Sequence, residues 1–323
     1  MGNANDESSS KYKEFILQFL DKFKAGVGLM AMVIVMSFLS DRFLTLPNIL
    51  NIFRQVSIMG IMAVGMTMVI LAQGIDLSVG SLMALSGAVT AGMMVHGDIS
   101  IFLAVLTGLA VGTALGLFNG LMISKAKLPD FIVTLAMMSI ARGLTLVYTG
   151  GRPISGFDLA FRRIGGGRVG RVPIPVIIFT VILIIGYLVL NKTTFGRYIY
   201  AVGGNKKAAR LAGINTDRVK ILVYAISGFL SAVSGVILIS RLNSAQPTAG
   251  VAYELDVIAM VVLGGTSLVG GKGTVGGTLI GALIIGVLNN SLNLLGVASF
   301  YQEVAKGLVI LVAVLLDSIQ HRD

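Results

Sequence analysis

The run PIPVIIFTVILIIGYLVL, from Pro173 to Leu190, holds eighteen residues without a charge. That is close to the roughly 20 residues a helix needs to cross the hydrocarbon core of a bilayer. Nine comparable apolar runs accompany it, at about 26–40, 56–73, 79–96, 101–123, 131–148, 221–240, 255–270, 274–293 and 303–317. With 55% of the 323 residues hydrophobic and only 12% charged, polar groups are too few to coat a soluble globule of this size. The expected fold class is therefore all-α: a polytopic helical membrane protein of about ten transmembrane helices.

Several function classes drop out on composition. There is no cysteine, and the two histidines, His96 and His321, have no other ligand type close in sequence, so no metal, cofactor or catalytic residue is assigned. The net charge of +10 is read as cation retention on the cytoplasmic side rather than nucleic-acid binding. With the N-terminus inside, cytoplasmic segments carry fifteen Lys and Arg and outer ones eight. Five of those eight, Arg152, Arg162, Arg163, Arg168 and Arg171, crowd the outer connection 149–172 and run against the trend. Deep ionisable residues are Arg142 and Lys306, while Asp76, Asp256 and Glu303 fall near span ends, so no proton relay is evident. Arg142 either faces a pathway or bonds a backbone carbonyl.

No composition break divides the chain. Residues 1–25 are expected as a cytoplasmic tail without a cleavable signal, 26–317 as the transmembrane domain with a cytoplasmic loop at 191–219, and 318–323 as a cytoplasmic tail. The segment TLPNILNIFRQ, Thr45 to Gln55, has helical apolar spacing and is expected along the outer interface before the second span. GTALGLFNGLMI resembles ALIIGVLNNSLN, matching Gly116 with Gly286 and Asn119 with Asn289. Those spans run in opposite directions, so a true duplication gives two inverted five-span repeats with a path at their interface. Chance likeness between glycine-rich helices is the other reading.

Two glycine clusters interrupt the apolar pattern. In QGIDLSVGS, Gly74 and Gly80 flank Asp76 and Ser78, either of which suits a cap on the next helix. In LGGTSLVGGKGTVGG, Gly264, Gly265, Gly270 and Gly271 suit a hinge or tight reversal. Lys272 there is followed by Gly273, so the nucleotide-binding pattern GxxxxGK[ST] is absent. A third segment, GRYIYAVGGNKKAARLAGI, carries cations between two long spans. It reads as one short helix with Asn205 as N-cap, then Lys206, Lys207, Ala208, Ala209, Arg210, Leu211 and Ala212, and Gly213 as C-cap. Ala208, Leu211 and Ala212 share one side. Two turns alone are unstable in water, so the bundle or a partner must pack against them.

The helix NKKAARLAGI, with LAQGIDLSVGSLMALSGA and RLNSAQPTAGVAYELDVIAMVVLGGTSLVGGKGTVGG, resembles the permease subunits of ABC sugar importers, in the ribose/galactoside branch, from about residue 28 to 317. This resemblance implies a multi-pass, non-catalytic permease of the bacterial inner membrane with both termini cytoplasmic, ATP hydrolysis belonging to a partner ATPase.

 It also implies a permease homodimer within membrane lipid, a periplasmic sugar-binding protein that delivers ribose or a similar monosaccharide, and a cytoplasmic ABC ATPase that seats the helix Asn205 to Gly213. The outer arginines and Arg241 then meet carboxylates of the binding protein. For the path, neutral hydrogen-bonding groups and aromatic faces suit a sugar. Asn119, Asn289, Asn290 and Asn293 supply the first, Phe131 and Tyr301 the second, with interhelical amide bonding as the competing role of the asparagines. A permease for another sugar or a nucleoside, and a channel or secondary carrier working without ATP, are the alternatives.

Overall fold

The computed structural model describes residues 25–320. The expected tails, 1–25 and 318–323, lie mostly outside them; residue 25 opens the first helix and 318–320 close the last. The helices are α1 (Ala25–Leu39), α2 (Leu46–Leu71), α3 (Val79–Val95), α4 (Ile101–Ser124), α5 (Asp130–Thr149), α6 (Leu159–Gly166), α7 (Ile174–Lys192), α8 (Thr194–Gly204), α9 (Lys206–Leu211), α10 (Thr216–Leu242), α11 (Tyr253–Leu263), α12 (Val275–Leu294) and α13 (Ser299–Gln320). Two-residue strands make two small antiparallel ladders, β1 (Ile154–Ser155) with β4 (Ser244–Ala245), and β2 (Arg168–Val169) with β3 (Val172–Pro173). Six helices, α2, α4, α5, α7, α10 and α12, are long and apolar enough to cross a membrane, so this is a polytopic helical membrane protein.

α2 is the axis of the bundle. From Val56 to Leu71 nearly every side chain is buried, against α10, α12, α7 and α11. The expected interfacial segment Thr45–Gln55 is not separate: α2 runs unbroken from Leu46, with Pro47 in its first turn, where a missing N–H costs nothing. Its polar residues find partners inside the fold. Asn48 and Asn290 of α12 exchange two side-chain hydrogen bonds, at 3.0 and 2.8 Å. Asn290→Ala should lower stability by only about 0.6 kcal/mol, since amide pairs between membrane helices are weak; thermal unfolding in detergent reads it.

α4 and α10 share the most extensive helix–helix contact. Gly112 and Gly116 lie directly against Gly228, which lets the backbones approach and supplies dispersion contacts where no hydrophobic drive exists between helices. The other faces of α4 and α7 remain apolar and exposed, with Phe102, Leu103, Ile184 and Ile185 pointing outward as lipid-facing side chains do.

Candidate functional site

The site begins where helices stop. Between α2 and α3, Gln73–Ser78 is non-helical, and it lies within the bundle rather than at its end. Lys220, near the start of α10, donates to the Gln73 carbonyl at 3.1 Å, whereas Ser227, further along α10, donates to Asp76 Oδ2 at 2.8 Å. Those seven residues of helix correspond to a climb of about 10 Å. Asp76 is fully buried. Its Oδ1 accepts from the Ser78 backbone N–H at 3.0 Å and the Ser78 hydroxyl at 2.6 Å, and Ser78 Oγ accepts from Asn119 Nδ2 at 3.0 Å. Neither Asp76 nor Ser78 caps α3 by the usual bond into its first turn: the Ser78 hydroxyl is committed to Asp76 and Asn119. A buried carboxylate needs such donors, because an unpaired charge there is far too costly to keep.

A second non-helical segment, 243–252, enters from the other side between α10 and α11. Its end meets the start of α3: a Cβ on Gly80 would strike the carbonyl of Gly250, and one on Gly250 would strike Gly80. Gly250 also holds φ +71°, which a side chain would strain. Arg142 of α5 clamps this segment, donating from Nη1 to the carbonyls of Pro247 at 3.0 Å and Ala249 at 2.7 Å. The carbonyl-bonding reading of Arg142 is the one the geometry supports. At the segment's N-terminal end, β4 pairs with β1, and Asn243 Oδ1 accepts from the Phe157 N–H at 3.2 Å.

Below this centre, Lys220 Nζ lies 2.6 Å from Asp130 Oδ2, which also accepts from the Tyr224 hydroxyl at 3.0 Å. Tyr224 and Lys220 are buried. This cluster joins α5 and α10 at the base of the break, and the sequence reading overlooked it.

The basic segment forms two helices rather than one. Thr193 caps α8, accepting from the Gly196 N–H at 3.2 Å, and Gly196 and Gly203 are close-contact positions within it. Asn205 caps α9 as expected, its Oδ1 accepting from the Ala208 N–H at 2.9 Å. Ala212 occupies the C-cap, and Gly213, one residue later, takes the left-handed conformation at φ +84°. Ala209 is the residue α9 buries, while Ala208, Leu211 and Ala212 face outward and Leu211 is 90% exposed. Lys206, Lys207 and Arg210 line a cavity of about 530 Å³ shared with Lys127, Asp130 and Lys220. The cations and an uncovered apolar face therefore lie side by side.

The glycine-rich reversal 264–274 ties the two regions together. The Gly271 N–H donates to the Leu71 carbonyl at 3.0 Å, at the end of α2, Gly270 packs on Gln73, and Gly203 of α8 packs on Leu71. The Tyr200 hydroxyl of α8 donates to the Gly273 carbonyl at 2.8 Å. Burial raises its pKa, so it stays a donor across the physiological range. Tyr200→Phe should cost about 1 kcal/mol, read as an earlier unfolding transition in detergent.

The pathway candidates have separate partners. Asn119 is held against Ser78, with its Oδ1 buried and unbonded. Asn290 pairs with Asn48, and Asn293 accepts from Gln302 at 3.1 Å. Asn289 is half-buried on α12, whereas Phe131 and Tyr301 are exposed at the starts of α5 and α13. Of the hinge candidates, Gly264 lies against Gly277, and Gly265, Gly270 and Gly271 hold positive φ. Gly74 packs on Tyr224 and Asp130.

A family model described as the permease component of a branched-chain amino acid transport system matches residues 48–314. The chain belongs to this permease family. Among its relatives, the ribose import permease of Haemophilus influenzae is 53% identical over 93% of this chain and 94% of its own. That of Bacillus subtilis is 55% identical over 92% and 93%, and that of Escherichia coli 50% over 97% and 98%. No solved structure matches the chain. The permease family is one of transport components rather than catalysts, and the described residues contain no group of acidic or histidine side chains able to hold a metal.

Proposed function

We propose that this chain is the transmembrane subunit of an ATP-binding-cassette importer for ribose. The observation that carries the reading is identity of 50–55% to ribose import permeases from three organisms over nearly the whole chain. Identity to an allose transport permease is 39% and to a xylose transport permease 36%, which favours ribose within the sugar group.

On this reading ten helices span the bacterial inner membrane with both termini cytoplasmic, α1, α3, α11 and α13 joining the six long ones. The order supports two inverted five-span repeats: α2 and α10 are long central helices of 26 and 27 residues, each followed by a non-helical segment, a shorter helix and then a long one. Broken helices of this kind near the midplane suit a substrate path, because the freed backbone lines a cavity. A periplasmic binding protein delivers the sugar to a permease homodimer, and a cytoplasmic ATPase seats α9. Residues 205–213 act as the lever. Its movement reaches Leu71 and Gln73 through α8 and the reversal 264–274, and shifts the joint that leads into α3, whose Gly80 meets Gly250. Alternating access then follows from rigid-body motion of packed helices. Asn119 and Asn290 serve packing, and exposed Phe131, Tyr301 and Asn293 are left for the path or a partner.

The test is reconstitution in liposomes with the ATPase and binding protein. Ribose uptake should require ATP and all components, with allose and xylose competing poorly. Solute flux through this chain alone, or uptake driven by an ion gradient, would overturn the reading.

A further inference from the structure

At the end of α2 away from α9, a cavity of about 220 Å³ opens between the first turns of α2 and the β2–β3 hairpin. Its α2 lining, Leu46 to Arg54, lies roughly 26–38 Å from Leu71 at 1.5 Å per residue. Leu46, Pro47 and Leu50 form an apolar wall, and Arg54, Arg168 and Arg171 supply three cations. Among the described residues none of these arginines forms an ion pair with a carboxylate. Arg54 donates from Nη2 to Asn51 Oδ1 at 2.9 Å, yet its Nε is buried with no acceptor. Arg241 is close enough to add to the same positive field.

We propose that this cavity holds the head group of an anionic phospholipid. A phosphate matches three arginines, since guanidinium donors bond its oxygens in pairs. The apolar half of the lining has no use for an inorganic anion. The hairpin itself is built for an interface: Val169 and Val172 are paired across it and both exposed, flanked by Arg168 and Arg171. It leads directly into α7, whose Ile177, Val181 and Ile184 form one exposed apolar stripe for acyl chains. Cations beside exposed apolar residues at the end of a membrane helix favour lipid over a soluble protein's carboxylates, which would leave Val169 and Val172 without an apolar partner.

The purified full-length permease is exchanged into nanodiscs of mixed phosphatidylglycerol and phosphatidylcholine, and retained lipid is measured by native mass spectrometry. Phosphatidylglycerol should be preferred, and each arginine removed should weaken the preference about fivefold. R168Q/R171Q should therefore lose it, R168K/R171K should keep most of it, and R162Q/R163Q, on α6, should keep it entirely. Millimolar inorganic phosphate should not displace the lipid. Equal retention of the two lipids, or a preference that survives R168Q/R171Q, overturns the proposal. Displacement by phosphate would assign a soluble-anion site instead. Loss of binding-protein association in R168Q/R171Q with lipid retention unchanged would assign the arginines to protein docking. The outcome is independent of which sugar is carried.

Discussion

Gly80→Ala is expected to abolish ATP-driven uptake and destabilise the folded protein by about 3 kcal/mol, near the upper end of overpacking costs. The added Cβ points at the carbonyl of Gly250 and at Glu254 Oε2, 2.8 Å away. Gly250 cannot retreat easily, because Arg142 clamps the two residues on either side of Thr248 and β4 holds the segment's other end. Gly143→Ala, in α5, gives the contrasting result. Nothing lies within 4 Å of its Cβ position, so the only change is better helix propensity, a gain of about 0.5–1 kcal/mol. Thermal unfolding in detergent should move in opposite directions for the two variants, and uptake should fall only for the first. A Gly80→Ala protein with normal stability and uptake would show that the start of α3 and the segment 243–252 do not meet in the working molecule.

The parts of this design visible in sequence are those set by local chemistry. Pro173–Leu190 reads as a span because its apolar character needs no context, and α7 begins within a residue of the expected start. Asn205 and Gly213 read as helix limits because capping involves only a few neighbouring residues. Depth was harder to read. Asp76 lies near the ends of two apolar runs, which suggested the membrane surface, but the chain turns back into the bundle there and places the carboxylate beside Ser227. That partner lies 151 residues away. Thr45–Gln55 looked separate because Asn48, Asn51, Arg54 and Gln55 lower its hydropathy, although Asn290 satisfies Asn48 and lets the helix continue. The correspondence of Asn119 with Asn289 suggested a shared path, whereas the actual bonds run from Asn119 to Ser78 and from the next asparagine, Asn290, to Asn48. Neither partner follows from spacing. The family-specific blocks GIDLSVGS and SAQPTAG proved to be neighbours in space, and only the fold reveals that Gly80 and Gly250 meet.

Reversing charge on the lever, as Lys207→Glu with Arg210→Glu, should abolish ATP-driven ribose uptake while leaving insertion and unfolding temperature almost unchanged. Both side chains are exposed, and the ion pair between Arg210 and Asp217, at 3.4 Å with Arg210 63% exposed, contributes at most about 1 kcal/mol. The fold therefore loses little. A partner loses much more, because the cations border the exposed Ala208, Leu211 and Ala212 surface, and two reversals change the local charge by four units where the ATPase is proposed to dock. Leu211→Asp separates the two contributions. It keeps every cation but places a charge on the apolar contact, and an interface that buries Leu211 should lose about 2 kcal/mol or more of affinity. Co-purification of the ATPase with each variant reads assembly, and uptake in proteoliposomes reads coupling. Variants that bind the ATPase and transport ribose normally would remove α9 from the coupling mechanism. The force would then have to reach Leu71 by another route, and the contacts of Gly203, Gly271 and Tyr200 would be no more than packing.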